Sequence, residues 1–78
     1  MDPFVGQIEL FSCSYAPEGW AFCQGQLLPV PNYPALFRLI GTKFGGDGKT
    51  NFALPNIKAP CSGVTYCIAL EGEFPTPT

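Results

Sequence analysis

The stretch "VGQIELFS", residues 5–12, is rich in β-formers, and Ile8 and Leu10 are spaced by two on one face of an extended chain, with polar Glu9 between them. That period, closed by the turn-forming "SYAPEG", predicts a strand. "WAFCQGQLLPV", 20–30, predicts two short strands meeting at a tight turn at Gln24-Gly25, with Pro29 and Pro31 ending the pairing because neither donates to a ladder. The pattern changes in "PNYPALFRLIG", 31–41, where Leu36, Phe37 and Ile40 form an apolar stripe at helical spacing and Arg38 stays outside it. Asn32 is the expected N-cap, Pro34 sits in the first turn where its missing donor costs nothing, and Gly41 closes the helix. So short a helix persists only when packed. "NFALPNI", 51–57, is extended and interrupted by Pro55, and "GVTYCIAL", 63–70, is a β-branched and aromatic run that predicts the clearest strand. "EGEFPTPT" at the end is extended and proline-punctuated. These elements predict an α+β, β-rich single domain of antiparallel strands, one short helix and long ordered loops. The domain is expected over residues 1–72, with 73–78 as an extended arm.

Composition sharpens this picture. The chain has 78 residues, 46% of them apolar and 13% charged, against about 25% charged in an average soluble domain. A domain this small has a thin stability margin and gains from disulfides, a metal or oligomerisation. Too few charges to cover its surface point to surface hidden against neighbours. A net charge of −2 and four scattered basic residues (Arg38, Lys43, Lys49, Lys58) exclude a phosphate-neutralising face for nucleic acid. The apolar runs fall short of the ~20 residues that span a bilayer, so no membrane insertion is expected. The opening "MDPFVGQIELFS" has no basic n-region or cleavage site and does not read as a secretory signal.

Gly48-Lys49-Thr50 in "FGGDGKTNFALPNI" has the ending of a phosphate-binding loop. That loop needs a glycine where Lys43 stands, a strand before it and a helix after it. Here the helix comes before and Pro55 forbids one after, so Gly45 to Gly48 with Asp47 predicts a turn. Without histidine no Ser-His-Asp or Cys-His arrangement exists, and the six acids form no recognisable catalytic pair. No enzyme activity, cofactor or metal is expected. Cys13, Cys23, Cys61 and Cys67 are open to three readings: buried small hydrophobes, disulfides, or a zinc site, the last at spacings that match no ribbon pattern. Most of the aromatics are core, and Trp20 is expected to be a core anchor.

"VGQIELFS", "APEGWAFCQGQLLPV", "ALFRLIG" and "FGGDGKTNFALPNI" together resemble the start of phage tail collar domain proteins, including the microcystin-dependent ones. That family shares a glycine-glutamine start, an AP-x-GWA-x-C-x-GQ-L block, a short ALF-x-L-x-G helix and a YGGDG-x-T-x-FALPDL segment. The likeness covers residues 4–57, and "YCIALEGEFP" resembles the family's ending. It departs after "FALPNI", where the family continues with an Arg-Gly-Arg stretch and a long middle region and this chain passes through "KAPCSG" to the last strand.

The resemblance implies a small β-rich domain of tail fibres or related appendages, often oligomeric. It carries over no catalytic residues. Combined with the low charge, it leads us to expect a structural subunit that assembles with itself, as a homo-oligomer or helical fibre, in an extracellular appendage or virion. The expected assembly contacts are Val5, Ile8 and Leu10 on the first strand, with Phe74 and Pro75 on the arm. The alternative is a module that binds a cell-surface glycan or other receptor through Tyr15, Trp20 and Tyr33. At least one disulfide is expected, Cys13 with Cys61 or Cys23 with Cys67, since Cys23 and Cys67 lie in strands within family-like blocks and Cys13 and Cys61 lie in loops or at strand ends.

Overall fold

The computed structural model describes residues 3–75. Five strands, one 3₁₀ turn and one helix follow one another: β1 (Ile8–Phe11), β2 (Trp20–Phe22), β3 (Leu27–Pro29), the turn Val30–Asn32, α1 (Pro34–Ile40), β4 (Asn51–Ala53) and β5 (Thr65–Ala69). The strands form a three-stranded antiparallel sheet in the order β1-β5-β2 and a two-stranded antiparallel ribbon of β3 with β4. The expected fold class is therefore the observed one. The strand with the strongest pattern, β5, is the central one.

Three local expectations change. The first strand begins only at Ile8, because Gly6 turns the chain before it. Gln7 N–H donates to Phe4 O (3.0 Å) around Gly6, whose φ is +83°. Gly6 N–H then donates to Ala69 O and Ala69 N–H to Gln7 O, both at 2.9 Å. Two residues thus oppose one, with a positive-φ glycine first, which is a bulge of the glycine type.

The second change is at Gln24-Gly25, which is not a hairpin turn. The strands on either side of it belong to different sheets, β2 pairing with β5 and β3 with β4. The Gln26 side chain holds this crossover, donating from Nε2 to Phe22 O (2.8 Å) and accepting from Gln24 N–H (3.1 Å). β3 ends at Pro29 as expected, and the proline costs the ladder no bond. Leu54 N–H donates to Gln26 O and Val30 N–H to Thr50 O, so the bonded positions are even-numbered on β3 and the missing amide of Pro29 falls between them.

The third change is at the start of the helix. Tyr33, not Asn32, takes the N-cap position, with no side-chain bond, and Pro34 is in the first turn. Gly41 ends α1 as expected, its N–H donating to Phe37 O at 2.7 Å.

The core lies between the sheet, α1 and the ribbon. Val5, Cys23, Leu36, Phe52, Leu54 and Ile68 form one buried cluster, with Phe37, Ile40 and Tyr66 packed against it. The helical stripe thus faces inward, Leu36 is fully buried, and Phe37 meets the Phe52 ring at 5.4 Å. Among the described residues, no helix is long and apolar enough to cross a membrane.

Candidate assembly edge and surface clefts

The hydrogen bonds of the bulge set the phase of β1. Gly6 and Gln7 exchange bonds with Ala69, so Glu9 and Phe11 are the next positions bonded to β5. The amides and carbonyls of Ile8 and Leu10 point away from it. β1 is an edge strand, and among the described residues no backbone group bonds to that outer side. Register also places Ile8 opposite Ile68 and Leu10 opposite Tyr66, on the sheet face that carries the core. No layer reaches out over β1, and Ile8 and Leu10 stay 41% and 46% exposed. Leu39, also exposed, lies over Gly6. No lysine or proline blunts the strand, and its one charge, Glu9, accepts from the Gln7 side chain.

The other expected assembly residues have different surroundings. Val5 is buried in the core, because the turn at Gly6 directs it inward; it is not a surface contact. The arm does not leave the domain at residue 73. Val5 N–H donates to Glu73 O and Glu73 N–H to Pro3 O. Phe74 is half exposed beneath Arg38, whose guanidinium carbon lies 4.8 Å from the ring centre. Pro75 follows it, and residues 76–78 lie outside the described residues.

The three aromatics expected at a ligand site are not brought together. Tyr33 packs against the core cluster, and Tyr15 is exposed in the loop after β1. Trp20 packs edge-on against Phe11, centroids 5.0 Å apart, on the sheet face away from the core. Two clefts open near this outer face. One, of about 300 Å³, is lined by Pro3, Glu18, Gly19, Trp20, Glu71 and Gly72. The other, of about 400 Å³, is lined by Ser12, Cys13, Ser14, Phe22, Gln24 and the residues 63–65. As ligand contacts, sequence reasoning named only Trp20 of the first cleft and none of the second, because the walls of each come from three separate segments.

The four cysteines are free thiols, contrary to the expected disulfide. For Cys23 and Cys67 the reason is register. Cys23 N–H donates to Tyr66 O and Phe22 is opposite Cys67, so neighbours on the same strands put Cys23 on the core face and Cys67 on the other. Both are buried, and burial, then the neighbouring Cys67, pushes the Cys23 thiol up to about 11. Burial, then Cys13, raises the Cys67 thiol. Cys13 and Cys61 are exposed.

The loop that ends like a phosphate cradle is a turn closed on a carboxylate. Asp47 Oδ1 accepts from the backbone N–H of Lys49 (2.8 Å), Thr50 (2.8 Å) and Asn51 (3.1 Å), and Oδ2 from Thr50 Oγ1 (2.7 Å). The amides that would hold a phosphate are occupied by the protein's own anion.

The Phage Tail Collar Domain family model matches residues 6–68. The chain belongs to this family. No curated protein matches the chain. The collar domain family is a structural family of tails and appendages and not an enzyme family, consistent with a place in a virion or appendage. The match spans β1 to most of β5, so the whole of the sheet except Ala69 lies within this collar domain.

Proposed function

We propose that this collar domain is a self-assembling subunit of an extracellular filament or phage-tail-like appendage, and that it joins a second copy through β1. The observation that carries this reading is the uncovered edge formed by Ile8 and Leu10. An exposed edge of this kind offers unpaired amides and carbonyls to another strand. An antiparallel pairing of two β1 strands about Ile8 is an isologous contact and makes a continuous six-stranded sheet. It sets Glu9 opposite Gln7 of the other copy, keeps the two carboxylates apart, and buries Ile8 and Leu10 from both chains. Longer assemblies then grow by adding contacts on other faces to this pair.

The test is the mass in solution, by light scattering and sedimentation, with electron microscopy for larger species. The intact protein should form a dimer or a higher species, and Ile8→Lys with Leu10→Lys should form a folded monomer. Both side chains are partly covered by their own domain, so the melting temperature should fall modestly while the folded spectrum holds. A double variant that assembles as well as the parent overturns the edge contact, and a parent that is monomeric at every concentration overturns self-assembly.

A further inference from the structure

We propose that the cleft between the end of β1, the start of β5 and the segment 22–24 binds an uncharged saccharide. Its volume, about 400 Å³, lies within the ~300–1,000 Å³ of small-molecule sites. Its lining decides the class of ligand. Ser12, Ser14 and Thr65 contribute hydroxyls, Gln24 a carboxamide and Phe22 an aromatic ring, and no lining residue carries a charge. An ionic ligand would find no counter-charge here, and a purely apolar one would strand four hydrogen-bonding side chains.

These side chains are uncommitted. Among the described residues, the side chains of Ser12, Ser14, Thr65 and Gln24 make no hydrogen bond to the protein, whereas those of Asp47 and Gln26 are spent on internal ones. Hydroxyls and a carboxamide can both donate and accept, as a ring of sugar hydroxyls requires. The half-buried Phe22 ring offers a flat apolar surface to the C–H face of such a ring. The cleft belongs to the outer side of the sheet and does not use Ile8 or Leu10.

Saturation-transfer and amide-shift NMR on the intact protein test this, with maltose, lactose and N,N′-diacetylchitobiose as neutral probes and sialyllactose as a charged one. At least one neutral probe should receive saturation and shift the amides of Ser12, Cys13, Ser14, Gln24 and Thr65. Ser14→Ala and Gln24→Ala replace exposed residues and should leave the fold intact. Each should weaken binding about tenfold, the equivalent of 1.4 kcal/mol. The proposal is overturned if no neutral probe binds, if only the sialylated one does, if the shifts map to the cleft of Glu18 and Glu71, or if both variants bind like the parent.

Discussion

At the scale of single residues, Asp47 turns a flexible glycine-rich stretch into a fixed corner. The four hydrogen bonds it accepts require the ionised carboxylate, and they hold its pKa below the usual aspartate value, the Lys49 amide contributing most. The lowered pKa makes this contribution to stability present above the ordinary aspartate pKa, and it is lost as the pH falls through the depressed one. Acid titration of the melting temperature should therefore fall less steeply in Asp47→Ala than in the parent, from a lower value at neutral pH. Parallel curves would show that the corner does not depend on the charge. The thiols give an independent residue-level test. A maleimide at pH 8 should label Cys13 and Cys61 in the native protein, and Cys23 and Cys67 only after denaturation, since the latter two are buried and Cys23 is shifted away from ionisation. Labelling of all four at one rate would contradict the burial.

At the scale of elements, two glycines decide where strands run. A Cβ on Gly6 would lie 2.5 Å from Leu39 Cδ2, a side-chain end that can move, so Gly6→Ala should cost mainly its positive φ, about 1–3 kcal/mol. A Cβ on Gly46 would meet the Phe52 backbone, 2.5 Å from its Cα, where nothing can yield. Gly46→Ala should therefore destabilise more than Gly6→Ala in chemical denaturation, and the reverse order would refute the close approach of this loop to β4. These elements were unequally legible in the sequence. α1 could be read because Pro34, the stripe of Leu36, Phe37 and Ile40, and Gly41 are all local signals. β5 could be read because a central strand is apolar and β-branched on both faces. The crossover at Gln24-Gly25 has the sequence of a hairpin turn, and neighbours in sequence do not say which strand is the partner. The candidate edge was legible as a strand with Ile8 and Leu10 on one face. Its exposure was not, since that depends on where the core layer stops.

At the scale of the whole molecule, β5 comes last of the strands in sequence and takes the middle place in the sheet, between the first two. Neither β1 nor β2 has a partner in that sheet until Thr65–Ala69 exists. Synthesis proceeds at about 5–20 residues per second, so a nascent chain carries an unpaired β1, with Ile8 and Leu10 bare, for several seconds before its sheet can close. The edge that suits the finished subunit for joining its copies is, on the ribosome, a site for premature joining between unfinished chains. A fragment ending at residue 64 should accordingly be insoluble when expressed alone, and a co-expressed peptide covering 63–75 should return it to solution with β1 protected from amide exchange. A soluble, exchange-protected fragment would mean that β1 finds another shelter first. In biosynthesis the hazard therefore depends on how fast the chain reaches residue 69, which makes elongation rate and chaperone supply determinants of yield for a domain whose finished fold needs neither.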